Sequence, residues 1–151
     1  MDNTFKLQLY QECVAVVNSR IAAIQKAVDA AKEAAKLEER STAGDKYDTA
    51  RAMSHIDQGM YTVQLNEVMK LKKSIDQVSI DKKFDKVALG ALVHTSNGYY
   101  YLVASIGAIK ISKILVMVVS PVSPIGQLLL DKTSGEKFVW NNKKIEIIAV
   151  T

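Results

Sequence analysis

The polar and apolar positions change period once along the chain, near residue 80. Upstream, Tyr10, Val14, Val17, Ile21, Ile24, Val28, Ala31 and Ala35 follow one another at alternating steps of four and three. On a helix of 3.6 residues per turn these positions form one narrow apolar seam with coiled-coil spacing. In AVDAAKEAAK the seam shrinks to alanine, so a partner helix can approach closely there. RSTAGDKYDTARAM, Arg40 to Met53, interrupts the pattern. It resumes with Met53, Ile56, Met60 and Val63, then less regularly through Leu65, Val68, Leu71, Ile75 and Val78. Two long helices joined by a short loop are expected to fold back as an antiparallel hairpin over 1–80, with its tip near 40–47. Arms of about 35 residues would make a rod on the order of 50 Å long, which needs anchoring at its base.

From Asp81 onward the period is two. KVALGALVHT and GYYYLVAS, separated by Ser96-Asn97-Gly98, read as a hairpin with an Asn-Gly turn. AIKISKILVMVVS reads as one or two strands, and EKFVW and KIEIIAV as two more joined at Asn141-Asn142. In SPVSPIGQLLLDKTSGE, Ser123 is placed to cap a short helix with Pro124 at its first position. The fold class is therefore α+β: a helical hairpin over 1–80, then a small, mostly antiparallel β domain with one short helix over 81–151. VSIDKKFDK, Val78 to Lys86, is the linker candidate.

Composition narrows the function classes. With 151 residues and 48% hydrophobic content the chain can build a core. No apolar run reaches the roughly 18 residues of a membrane span, and MDNTFKLQLYQEC lacks the pattern of a signal peptide, so a cytoplasmic protein without a membrane partner is expected. Residues 1–83 hold 13 Lys and Arg against 12 Asp and Glu, and residues 84–151 hold 7 against 4. That mild asymmetry forms no basic stripe of the kind that grips nucleic acid directly. Cys13, the only cysteine, reads as a buried helical thiol.

Candidate chemistry is sparse. Asp45 and Asp48 stand three apart at the start of the second helix. They can serve as a cap and favourable first-turn charges, or they can supply part of an oxygen coordination sphere for Mg²⁺ completed by another protein. Tyr99-Tyr100-Tyr101 offers a stacking surface, although alternation should send one or two of the rings into the core. Lys70, Lys72, Lys73, Lys82 and Lys83 gather where the hairpin should meet the β domain, as a solvated face or a docking surface. His55 and His94 lack neighbours at metal-ligand spacing. No phosphate loop, nucleophile arrangement or zinc spacing is present.

The hairpin pattern followed by Ser123-Pro124-Ile125-Gly126, Leu128-Leu129 and Gly135-Glu136 resembles the bacterial GreA/GreB transcript-cleavage factors. The marker covers about 30 residues, and the hairpin extends the likeness more loosely over nearly the whole chain. The resemblance implies an FKBP-like C-terminal domain that binds RNA polymerase, with Ser123, Pro124, Ile125 and Gly126 as the matching polymerase-binding positions. It implies a hairpin inserted in the polymerase secondary channel, with nucleic acid met only indirectly. Family tips carry G-D-x-x-E, whose acids help the polymerase hold a second Mg²⁺, and Gly44-Asp45-Lys46-Tyr47-Asp48 fits with Asp for Glu. On that alignment Asp45 and Asp48 are the catalytic acids and the shared metal ligands, and the chain is a monomeric accessory factor with no cofactor of its own rather than an enzyme. A second alignment matches Tyr47-Asp48-Thr49-Ala50-Arg51 to the segment that follows the tip acids. It moves the acid positions to the neighbourhood of Arg40 and Ala43, and points to channel binders without cleavage activity, including nucleoside diphosphate kinase regulator-like proteins. A prolyl isomerase and a self-associating coiled-coil adaptor are the rivals from other classes.

Overall fold

The computed structural model describes residues 3–41 and 45–151, with side chains described outside 38–58. Two long helices come first, α1 (Asn3–Ser41) and α2 (Asp45–Asp76). Six strands follow: β1 (Leu92–Thr95), β2 (Gly98–Leu102), β3 (Gly107–Ile111), β4 (Ile114–Val119), β5 (Lys137–Trp140) and β6 (Lys143–Val150). The short helix α3 (Pro124–Leu129) lies between β4 and β5. The fold class is α+β, as the change of period predicts.

Packing divides the chain into two units: Val17–Lys70, and Met1–Val16 together with Leu71–Thr151. The start of α1 and the end of α2 therefore belong with the sheet, whereas the change of period alone puts the division at 80/81. Within Val17–Lys70 the seam of α1 is visible in the burial: Val17 is buried, and Ile21, Ile24, Val28, Ala31 and Ala35 are shielded while most of their neighbours are exposed. The expected seam of α2 is partly wrong. Met60 and Val63 are 58% and 63% exposed, and the covered positions are Tyr61, Leu65, Val68 and Leu71. Helical phase places Tyr61 rather than Met60 in line with Leu65 and Val68, at steps of four and three. Met53 and Ile56, also expected on this seam, lie outside the described side chains.

The sheet has the order β3-β4-β2-β1-β6-β5. All neighbours are antiparallel except β2 and β4, which pair in parallel with Tyr99 opposite Val116 and Leu102 opposite Val119. A parallel pair needs a crossover, and β3 supplies it by turning back on β4 at the outer edge. The β3–β4 turn uses Ser112 and Lys113 at positive φ, and the β5–β6 turn uses Asn141 and Asn142 at φ 50° and 63°. Asn tolerates that left-handed region better than other side chains do. In the first hairpin Thr95 pairs with Gly98, so the turn centres on Ser96-Asn97 rather than Asn-Gly. The Thr95 hydroxyl accepts from Asn97 N at 3.1 Å and donates to Gly98 O at 2.8 Å.

One face of the sheet carries a core in which Val93, Tyr100, Leu102, Phe138, Ile145 and Ile147 meet Ile125 and Leu129 of α3. Phe84, Val87 and Ala91 complete it. The segment 78–86, expected as a linker, is thus packed: Phe84 is a core residue, and Gly90, at φ +91°, would bring a Cβ within 3.2 Å of Val78 Cγ1 and 3.5 Å of Phe84 Cζ. Among the described residues no helix is long and apolar enough to cross a membrane.

Candidate functional site

The Ser123–Gly126 turn is the best-defined motif of the chain. Ser123, in an extended conformation at φ −67° and ψ 158°, caps α3 by accepting from Gly126 N at 3.1 Å, and Pro124 occupies the first turn. The same hydroxyl donates to Ser120 O at 2.6 Å, so one side chain ties the strand exit to the helix start. Ile125 is buried in the core. Gly126 has an ordinary φ, so its requirement is steric: an added Cβ would fall well inside contact distance of Ser120 O and 2.9 Å from Ser123 Oγ. The small residue after Ile125 is therefore demanded by backbone passing over backbone. Of the four expected polymerase-binding positions, Ile125 and Gly126 face inward, Ser123 is partly covered and Pro124 is exposed.

Gly135 and Glu136 close the next turn. Gly135 takes φ +92°, and the Glu136 carboxylate accepts from both Thr133 N and Thr133 Oγ1. Gly135 N and Glu136 O also pair with Ile147, setting the turn against β6.

The side chains of Asp45 and Asp48, like those of Arg40, Glu38, Glu39 and His55, lie outside the described residues, as does Ala43. Helix α2 runs from Asp45, which puts both aspartates in its first turn. Their donor set, two hard carboxylate oxygens three residues apart, fits part of a Mg²⁺ sphere and falls well short of six ligands.

The tyrosine run is committed elsewhere. Tyr100 and Tyr101 are buried, and Tyr99 stacks on His94 with centroids 4.3 Å apart and planes 7° from parallel. That leaves Tyr99 alone partly exposed, with one ring face taken by His94, and it gives His94 a packing role.

Cys13 is fully buried, as expected. Burial, with the Glu12 charge adding to it, pushes its thiol up to about 12. Tyr101 lies beside it, and burial first, then the neighbouring Cys13 and Tyr10, raise its ionisation above the ordinary phenol range.

Of the base lysines, Lys70 pairs with Glu67 at 3.3 Å on an exposed face, an interaction worth little. The residue that sequence reading missed is Lys6. It is 3% exposed and donates to Thr151 O at 3.0 Å, and its ammonium stands 4.7 Å from the centroid of the Phe84 ring. Lys82 approaches the same ring at 5.3 Å. The signal was present: Lys6 precedes Leu9 and Tyr10 by three and four, so it continues the buried face of α1. Burial lowers its pKa to about 8.

No protein-family model matches the chain, and no curated protein matches its sequence.

Proposed function

We propose that the chain is a Gre-like factor that binds bacterial RNA polymerase, places a helical hairpin in its secondary channel and modulates transcription from there. The observation that carries the reading is the turn from Ser120 to Gly126. The serine cap, the proline at the helix start, the core isoleucine and the glycine crossing the Ser120 carbonyl each meet a separate physical demand of one compact turn. The second marker, Gly135-Glu136, likewise closes a turn. Two long helices, one with a seam tapering to alanine, support the same reading.

In this reading the chain completes another protein's catalytic centre. Mg²⁺, held mainly by the polymerase, would polarise the phosphodiester and its attacking water. Asp45 and Asp48 would add carboxylate oxygens to that sphere and orient water by hydrogen bonding. The hairpin would bring them there, and the globular unit would hold the complex at the channel rim.

The test is RNA cleavage in a backtracked elongation complex, with polymerase binding measured in parallel, for the wild type and Asp45→Asn/Asp48→Asn. Loss of cleavage on the order of a hundredfold with unchanged binding is expected. Binding without cleavage by the wild type would leave a channel-occupying regulator whose aspartates only cap α2, as the alignment through Tyr47–Arg51 implies. Absence of polymerase binding would overturn the reading.

A further inference from the structure

An asparagine carboxamide carries an electrophilic carbon within reach of the next residue's main-chain nitrogen, and glycine is the follower that hinders their approach least. The chain has six asparagines, and only Asn97 is followed by glycine. Asn97 is exposed at the β1–β2 turn. An added Cβ on Gly98, at φ +107°, would meet nothing within 4 Å, so the peptide joining the two residues is free of side-chain cover there. The other five are less favourably placed. Asn18 and Asn66 lie inside α1 and α2, where the peptide nitrogens that follow are committed to helical hydrogen bonds. Asn3 precedes Thr4, Asn141 precedes Asn142, and Asn142 precedes Lys143, so a side chain crowds each of those nitrogens.

We infer that Asn97 is a site of spontaneous covalent modification, and that one of its two products breaks the β1–β2 turn. The Gly98 nitrogen, on losing its proton to solvent base, forms a bond to Asn97 Cγ. The Cγ–Nδ2 bond breaks, and the nitrogen takes up a proton from water and leaves as ammonia. Water then opens the five-membered imide at either carbonyl. Opening at Cγ leaves an aspartate on an unchanged main chain. Opening at the main-chain carbonyl leaves an isoaspartate, whose chain runs through Cγ and is one atom longer. Nothing is oxidised or reduced.

The turn has no slack for the second product. The Thr95 hydroxyl accepts from Asn97 N at 3.1 Å and donates to Gly98 O at 2.8 Å, gripping the main chain on both sides of the altered bond. Ser96 N donates to Glu146 O at 2.9 Å and Ser96 Oγ accepts from Glu146 N at 2.9 Å, which fastens the turn to β6. An extra main-chain atom inside that bracket pulls the Thr95 contacts apart, in the hairpin that lies between β4 and β6 in the sheet. The aspartate product keeps the bracket. Its carboxylate can accept from the Tyr100 hydroxyl, which in the unmodified chain accepts from Asn97 Nδ2 at 3.2 Å. The inference does not depend on the transcription reading.

The experiment incubates the full chain at physiological temperature between pH 7 and 9 and follows every asparagine-containing peptide by mass spectrometry. The synthetic peptide of residues 93–99, blocked at both ends, serves as a clock. A gain of about 1 Da is expected at Asn97 alone. Its rate should lie within about tenfold of the free peptide's and should rise about tenfold per pH unit, as the fraction of deprotonated nitrogen does. Asn97→Gln retains a carboxamide but needs a six-membered ring, so it should show no gain and, being an exposed substitution, an unchanged circular dichroism spectrum. The isoaspartate form, separated by chromatography, should unfold at a lower urea concentration than the unmodified chain, whereas Asn97→Asp should match it. Any of three results would overturn the proposal: Asn97 intact when the free peptide has fully converted, equal conversion at Asn141 or Asn142, or equal urea midpoints for the two products.

Discussion

Lys6 and Cys13 show how one helix face sets two protonation states in opposite ways. Burial disfavours the charged form of each, lowering the ammonium from 10.5 to about 8 and raising the thiol from 9.0 to about 12. The stability consequences have opposite signs. Between pH 8 and 10.5 folded Lys6 has lost its proton while the unfolded chain still holds it, so this group adds stability as pH rises. Between pH 9 and 12 folded Cys13 keeps a proton that the unfolded chain loses, so its contribution falls as pH rises. Comparing the wild type with Lys6→Met cancels the thiol and isolates the lysine. The variant is expected to melt no lower than the wild type at pH 7, because it replaces a desolvated cation with an apolar chain of similar length. The wild type should gain on it steadily from pH 8 to 10.5. A melting difference that stays constant across that window would show that Lys6 is not desolvated in the folded protein.

At the scale of the element, α3 is short, and its placement depends on its first turn. Six residues form too short a helix to persist by propensity, so the Ser123 cap and the packing of Ile125 and Leu129 hold it. Gly126→Ala should cost about 3 kcal/mol even though alanine is the better helix former, because the added methyl meets the Ser120 carbonyl. Ser123→Ala should cost about 1 kcal/mol, the usual value of a lost cap. Urea midpoints at constant m value measure both. If Gly126→Ala were neutral, the close crossing of the two backbone segments would be wrong. The serine cap and the proline were legible in the sequence because they act over four consecutive residues. The glycine's reason was not, because it lies in a carbonyl six positions upstream that comes near only when β4 and α3 are both in place. The linker fails for the same reason: charged residues surround Phe84 in VSIDKKFDK, and only the assembled core shows that its ring goes inside.

For the whole molecule, oligomeric state is the property that separates a Gre-like factor from a coiled-coil adaptor. Among the described residues of the α1 seam, Val17 is buried and Ile21 and Ile24 are shielded within a single chain, so these positions are not open to a second copy. Light scattering should therefore give the mass of one chain at micromolar concentration. A dimer that Ile24→Asp dissociates, with helix content retained, would favour the adaptor. The sequence by itself determined what depends on near neighbours: the change from helical to alternating period, the seam of α1, the strand-forming runs after residue 86, the Asn141-Asn142 turn and the capped start of α3. These follow from backbone geometry and from side chains a few residues apart, which act before any tertiary contact forms. The tertiary structure alone decided the strand order, with β2 beside β4 in parallel, because alternation says which face a residue takes and not which strand it pairs with. It also decided that Tyr61 rather than Met60 is covered on α2, and that Lys6, Phe84 and Thr151 meet. Those outcomes join residues up to 145 positions apart, where burial and close approach of backbone are properties of the assembled chain.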